Sequence, residues 1–248
     1  MEEKSNMTAE RSLEIISEQI AQTRQAVSQV TGQALYISGL CTMGMAVVVA
    51  IVNFTILTTG IIVKLGVIGD YMWVLGNLLW LMLPVIIKLI LRDTYEKTHA
   101  PVSLVGTLVK NTWWTFAAFA ITYFIIAILW NIMAIRIAPD ADTAIENRMP
   151  IYPVVILLMG MAISMTGQIL KHKWLVWFGV IGGLVAVVGE HSGVIRYFIF
   201  SCIYESGIVN DPFFWANHIL MSEHCLIVFL LALVGLMLPG LMLKQQSK

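Results

Sequence analysis

The sequence has few charged residues and few cysteines. Only 12% of its 248 residues are charged, against roughly a quarter in soluble domains, and 58% are hydrophobic. Lys and Arg together number 15, as do Asp and Glu, so no basic surface suited to nucleic acid is expected. Three cysteines are too few for a disulfide scaffold. The composition predicts a membrane protein whose partner is the lipid bilayer. It does not predict binding to nucleic acid.

Sequence motifs of common enzymes are also missing. The chain has no Walker loop, no Rossmann glycine pattern, no G-x-S-x-G elbow and no CxxC pair. The interiors of its long apolar runs contain no Asp, Glu, Arg or His, the residues that mark proton relays and ion pathways in membranes. The sequence therefore argues against a proton-coupled transporter and a voltage sensor, and it favours a non-enzymatic protein over an enzyme without deciding between them.

Six apolar runs meet or approach the roughly 20 residues that a helix needs to cross the hydrocarbon of a bilayer. The fifth run is short, and one longer helix carrying polar residues near the outer surface is the alternative there. We predict an all-α, polytopic membrane helix bundle over residues 34–243, preceded by a helix at 1–33 and followed by a tail at 244–248. The predicted spans lie at 34–58, 71–91, 112–135, 151–170, 174–189 and 223–243.

Lys and Arg residues indicate the orientation, because cytoplasmic loops carry an excess of them. With the N terminus inside, eleven of the 15 fall on the cytoplasmic side: Lys4, Arg11, Arg24, Lys88, Arg92, Lys97, Lys110, Lys171, Lys173, Lys244 and Lys248. Both termini are therefore predicted to be cytoplasmic. Most Trp and Tyr residues fall at predicted interfaces, and Trp80 is an exception because it lies in the middle of the predicted second span.

The segment before the first span predicts an amphipathic helix that continues into that span. Apolar residues recur there every three or four positions, at Leu13, Ile16, Ile20, Val27 and Val30. This stripe either packs on the protein's own cytoplasmic ends or on the membrane surface, or forms a short coiled coil. In the coiled coil, residues 8–30 would contact a second copy of the chain or a cytoplasmic protein partner.

Imidazole, thiol and carboxylate groups gather between Glu190 and Cys225, on the predicted outer side of the membrane or at its interface. Imidazole and thiolate are usual ligands of zinc and copper, although the spacing here matches no compact metal site. These residues therefore either face water and cap helices or bind a metal ion, and the two cysteines are also candidates for a disulfide in an oxidising compartment. The candidate ligands are His191, His218, His224, Cys202 and Cys225.

Small residues in the fourth and fifth predicted spans predict close helix packing. Gly160 with Ser164, and Gly179 with Gly183, are each spaced by four residues, as in small-xxx-small contacts between membrane helices. We expect both pairs to pack within the molecule rather than between molecules.

Three stretches resemble a known family: MTAERSLEII at 7–16, LLMGMA at 157–162 followed by Thr166 and Gly167, and MLPG at 237–240. Together they resemble a family of uncharacterised multi-pass membrane proteins of Bacteroidetes-type bacteria. The resemblance implies a location in the bacterial inner (cytoplasmic) membrane and no assigned activity. The chain departs from that pattern in its long segment between the fifth and sixth spans.

Three functions are compatible with these features. The leading hypothesis is a non-enzymatic membrane protein that senses or scaffolds through residues 8–30. The second is a transporter of a neutral small molecule or lipid, with a cavity lined by neutral polar residues such as Asn53, Asn77, Ser164 and Gln168. The third is a metal-dependent membrane enzyme that uses the outer-side His and Cys residues.

Overall fold

The chain is all-helical wherever its structure is described. The computed structural model describes residues 2–58, 78–97, 104–137, 149–192, 197, 201 and 223–245. These residues contain no strand, which confirms the all-α class for this part of the chain. The helices are α1 (Glu2–Thr58), a 3-10 turn (Leu79–Leu81) leading into α2 (Met82–Lys97), α3 (Leu104–Ile137), α4 (Tyr152–Leu170), α5 (Lys173–Ser192) and α6 (Glu223–Gln245).

Four of these helices are long and apolar enough to cross a membrane: Arg11–Ile56 within α1, Leu104–Ala134 within α3, α4 and α6. They coincide with four of the predicted spans. The apolar part of α5, Lys173–Gly189, is shorter, and residues 71–77 of the predicted second span lie outside the described residues. The total of six spans therefore stays a prediction.

Helix α1 continues without a break from Glu2 to Thr58, across the predicted start of the first span at residue 34. At 1.5 Å per residue its 57 residues extend about 85 Å, whereas the hydrocarbon of a bilayer is about 30 Å thick. Residues 11–22 are all exposed, and buried positions begin at Val27. The N-terminal third of α1 therefore extends past the packed bundle.

Helices α1 and α6 pack with their backbones in contact. A Cβ atom added to Gly240 would lie 2.5 Å from the Tyr36 backbone nitrogen and 2.7 Å from the Gly32 carbonyl oxygen. A Cβ on Gly39 would lie 2.8 Å from the backbone nitrogen of Met237. Only glycine leaves room for this approach, so these positions determine how closely α1 and α6 pack.

Part of α6 next to this contact is a π-helix, over Ala232–Met237. Pro239 follows two residues later and has no N–H to donate to the carbonyl of Gly235, four residues earlier. Wider π turns are found where the regular hydrogen-bond ladder is interrupted. Pro239 itself is fully buried.

Helices α4 and α5 form a second close pair through the predicted small residues. A Cβ on Gly160 would lie 2.6 Å from the Gly179 carbonyl oxygen, and a Cβ on Gly179 would lie 2.5 Å from the backbone nitrogen of Ser164. The prediction of intramolecular packing at these positions is confirmed. Lys171 ends α4 in the left-handed conformation at φ 59°, so the chain reverses direction within two residues and enters α5.

Among the described residues, three clusters of buried side chains form the core and meet at Trp80. The largest joins α1, α3, α4, α5 and α6, the second joins α3 to the start of α4, and the third joins α1 to Cys225. Trp80 packs against all three. Packing therefore explains why Trp80 lies in the middle of the predicted second span. Its indole ring fills the space where the three clusters converge.

We predict that Gly179→Ala destabilises the fold because the new methyl group would meet backbone atoms that cannot move independently. The expected cost is about 1–3 kcal/mol, the usual range for overpacking. The matched control is Gly44→Ala, since no atom lies within 4 Å of a Cβ built there. Thermal unfolding of the detergent-solubilised variants measures the difference. Equal melting temperatures for the two variants would show that the α4–α5 contact is looser than described.

Candidate functional site

The predicted partner-contact residues divide into an exposed and a covered group. Leu13 is 67% exposed, Ile16 is 52% exposed and Ile20 is 50% exposed. Val27 is only 8% exposed and packs in the largest core cluster, while Val30 is half-buried. We call the exposed group, Leu13, Ile16 and Ile20, the α1 stripe. The five residues predicted to contact a partner are therefore not equally available.

The division occurs where α1 meets the end of α6. A Cβ on Gly32 would lie 2.7 Å from the Leu243 Cβ, so α6 reaches α1 at this level. Val27 and Leu243 belong to the same core cluster, together with Val109 of α3. The covered residues follow the same three-and-four spacing as the α1 stripe, so one apolar face begins exposed and ends inside the bundle.

Polar residues of the exposed part of α1 bond to their own helix. Ser17 Oγ donates to the Glu14 carbonyl oxygen at 2.8 Å, and Gln22 Nε2 donates to Glu18 Oε1 at 3.4 Å. These bonds satisfy the hydroxyl of Ser17, which flanks the α1 stripe, and the amide of Gln22 on the far side of the helix. The large apolar side chains of the α1 stripe, in contrast, are not covered by any other described part of the chain.

A histidine in the turn between α4 and α5 contacts α1 near the point where its exposed segment ends. His172 Nε2 lies 3.4 Å from the Ser28 Oγ, and the His172 backbone N–H donates to the Gly167 carbonyl oxygen at 2.9 Å. Burial lowers the pKa of the His172 imidazole below its ordinary value. Sequence reasoning did not select this residue. The available signal was a histidine in a two-residue connection between apolar helices.

The predicted outer-side ligands are only partly described. The His224 ring stacks on Tyr152 with centroids 4.5 Å apart and planes 9° apart, and Trp80 meets Tyr152 edge-on at 6.4 Å. Glu223 is 1% exposed and Cys225 is 3% exposed. This corner of the bundle therefore holds half-buried aromatic rings beside two buried ionisable groups at the start of α6.

No metal-binding arrangement is found in the part of the chain that the structure describes: no three His, Cys, Asp or Glu residues there are placed to hold an ion. His224 and Cys225 are described, but Cys202, His218 and the His191 side chain lie outside the described residues. The metal site and the Cys202–Cys225 disulfide therefore both stay predictions.

Of the residues predicted to line a transport cavity, two lie together and a third, Asn53, does not join them. Ser164 and Gln168 line a surface groove between α4 and α5. Asn53 is buried in α1 and does not line that groove, and Asn77 lies outside the described residues. The transport cavity therefore stays a prediction.

Asn131 is a structural residue that sequence reasoning missed. It is 2% exposed, its Nδ2 donates to the Met149 carbonyl oxygen at 3.3 Å, and its Oδ1 accepts from the Met149 N–H at 2.7 Å. Nearby, Tyr123 Oη donates to the Pro150 carbonyl oxygen at 2.6 Å. The two side chains of α3 thus hold the residues that lead into α4. The sequence signal for this structural role was an amide side chain within an apolar run.

Replacing Asn131 with leucine should destabilise the bundle, because the Met149 N–H and carbonyl would both lose their partner. Leaving buried polar groups unpaired costs about 1–3 kcal/mol. Asn111→Leu is the control, since Asn111 is exposed on the same helix. Chemical or thermal unfolding in detergent measures both variants. If both lose the same stability, the Asn131 bonds do not hold the start of α4.

The lowered pKa of His172 predicts a stability loss in acid. The unfolded chain binds a proton near the ordinary pKa of about 6.5, whereas the folded chain resists protonation until a lower pH. The neutral imidazole is therefore compatible with folding above pH 6.5, and stability falls as the pH drops below that value. Melting temperatures at pH 7.5 and 5.5 should differ less in His172→Gln than in the natural chain. An unchanged difference would contradict the assignment.

Comparison with known proteins finds no matching protein family, no similar curated protein and no similar solved structure. The resemblance to the Bacteroidetes-type membrane family therefore stays a prediction. The function is inferred from the contacts, burial and charge of the described residues.

Proposed function

We propose that this protein is a non-enzymatic membrane protein that senses or scaffolds, binding a cytoplasmic partner helix through the exposed part of α1. The observation that carries the proposal is the exposure of the α1 stripe, half or more of each side chain, on a helix otherwise continuous with the bundle. Large apolar side chains outside the hydrocarbon tend to be covered by a partner. The cytoplasmic side is the one that the charge distribution predicts.

The spacing of the α1 stripe indicates what kind of partner fits it. Leu13 and Ile20 are seven residues apart, with Ile16 between them, which corresponds to a and d positions of a heptad. Val27 continues the a positions but is already covered within the bundle. A partner helix that presents its own apolar a/d seam would extend this packing by about two heptads beyond the bundle.

The residues that flank the α1 stripe carry little charge, so they place few requirements on the charge of a partner helix. One residue among those at the flanking e and g positions is charged, so two such helices side by side would not oppose like charges strongly. A second copy of this chain therefore fits as readily as another amphipathic helix. The flanking residues are Ser12, Ser17, Gln19, Arg24 and Ala26.

A short seam of this kind gives a weak contact by itself. Three exposed apolar side chains, each worth about 1.5–3 kcal/mol when fully buried, must offset the cost of bringing two helices together. Insertion in the membrane confines both partners to one layer and raises their effective concentration. The contact is therefore suited to reversible sensing or assembly.

Site-specific photo-crosslinking in the full-length, membrane-inserted chain tests the proposal. A photo-reactive amino acid at Ile16 or Ile20 should give a discrete crosslinked product, whereas the same group at Glu18 or Gln25, on the opposite face of α1, should not. The product's mass distinguishes a second copy from another protein. Equal crosslinking from both faces, or none from either, would contradict the proposal.

A set of substitutions separates recognition from folding. With the crosslinker at Ile16, Leu13→Gln together with Ile20→Gln should reduce the product at least roughly tenfold, since each lost apolar contact costs more than about 1 kcal/mol. The matched control, Glu14→Gln with Gln25→Ala, should leave it unchanged. Both pairs alter exposed residues, so membrane insertion and the melting temperature should stay the same. Removing residues 1–30 would be a poorer test, because Val27 and Ser28 are buried in the bundle.

A further inference from the structure

The surface where α4 and α5 cross carries an apolar groove of about 350 Å³. Gly160 and Gly179 form its floor, where the two backbones touch and no side chain fills the space. Met161 and Met165 of α4 and Val180 of α5 form its walls, and each is at least 39% exposed. The close glycine contact that joins the two helices therefore also produces the groove.

A largely buried serine lines this groove, and its hydroxyl has no hydrogen-bond partner among the described residues. Ser164 lines the groove and is 7% exposed, yet its side chain makes no hydrogen bond with the described part of the chain. Thr166, two residues later, shows the ordinary arrangement, because its hydroxyl donates to the Ala162 carbonyl oxygen at 2.8 Å. A buried polar group without a partner is costly in apolar surroundings. Ser164 is thus placed to donate to an occupant of the groove.

One end of the groove is polar, and two lysines follow that end in the sequence. Gln168 lines the groove one turn beyond Ser164 and is exposed. Lys171 and Lys173 follow, both exposed, and neither makes an ion pair within the described ranges. Residues 149–189 contain no Asp or Glu, so no nearby acid in the sequence offsets these two charges.

The groove has the length of one leaflet. Residues 157–168 of α4 line it and rise about 17 Å at 1.5 Å per residue, close to half of the roughly 30 Å hydrocarbon thickness. Trp177 of α5, 63% exposed, lies one turn after Lys173. Tryptophan is enriched at the level of lipid headgroups, which places the basic end of the groove at that interface.

We propose that this groove is a binding site for one anionic phospholipid of the adjoining leaflet. An acyl chain lies over Gly160 and Gly179, between the methionine and valine walls. Ser164 and Gln168 donate hydrogen bonds to the ester carbonyl oxygens, and Lys171 with Lys173 binds the phosphate group. A zwitterionic lipid would fill the groove equally well but would gain less from the two lysines.

Native mass spectrometry of the detergent-solubilised full chain tests this site. The chain is incubated with equal amounts of phosphatidylglycerol and phosphatidylcholine that carry the same acyl chains, and the bound lipids are counted. We expect one retained phosphatidylglycerol, in preference to phosphatidylcholine. Lys171→Asn with Lys173→Gln should reduce that preference roughly tenfold or more, because each basic residue near an anionic headgroup contributes substantially to binding. Asparagine is chosen at 171 because it tolerates the left-handed backbone there.

Two matched controls separate the groove from general lipid attraction. Lys88→Gln with Lys110→Gln removes two exposed charges elsewhere and should preserve the phosphatidylglycerol preference. Met165→Trp, which fills the groove, should abolish retention of the lipid, whereas Met133→Trp, at an exposed position on α3, should not. Melting temperatures confirm that each variant is folded.

Three results would overturn the proposal. The first is an unchanged phosphatidylglycerol preference in the Lys171→Asn and Lys173→Gln variant. The second is equal lipid retention by Met165→Trp and Met133→Trp. The third is a dimer that forms through this face with no lipid retained, which would assign the groove to a second copy of the chain.

Discussion

Contact between helix backbones at glycine is the interaction on which the rest of this structure depends. Within a bilayer, lipid tails are as apolar as leucine, so helices gain little by hiding apolar side chains from their surroundings. Close van der Waals packing must supply the attraction instead. The pairs Gly160–Gly179 and Gly32–Gly240 bring backbone atoms to distances that no other residue permits. The α4–α5 and α1–α6 pairs are the two units that these contacts create.

The two glycine contacts have different functional consequences. At the α1–α6 contact, the end of α6 covers one face of α1 as far as Val27 and leaves the same face exposed beyond it. At the α4–α5 contact, the missing side chains leave a groove, and Lys171 and Lys173 follow its lining residue Gln168 in the sequence. The exposed stripe and the groove are thus both products of packing, and they lie on different helices.

Much of the helical architecture could be predicted from the sequence, because apolar length and small-residue spacing are local signals. The four long apolar helices and the packing roles of Gly160 and Gly179 belong to this group. The close approach at Gly32 and Gly39 was not predicted, because those glycines face partners more than 190 positions away in the chain. Burial of Val27 depends on the same distant contact, so periodicity alone could not separate it from Ile20.

The candidate sites were predictable to a smaller extent. A repeating apolar spacing shows that a face exists, but only the folded bundle shows where that face becomes exposed. The roles of His172 and Asn131 depend on hydrogen bonds to one residue each, Ser28 and Met149, and such bonds leave no periodic signal. The groove likewise depends on a shape formed by two helices, although the small residues on its floor were recognised in advance.

Cysteine accessibility in native membranes tests the central claim, that the exposed face of α1 is covered by a partner, most directly. In a chain whose three cysteines are replaced by alanine, Ile16→Cys and Gln25→Cys are labelled with a membrane-impermeant maleimide in inside-out vesicles. The account predicts slower labelling at position 16 than at position 25 in the membrane, and similar rates after the chain is purified as a monomer. Equal labelling of both positions in native membranes would contradict it.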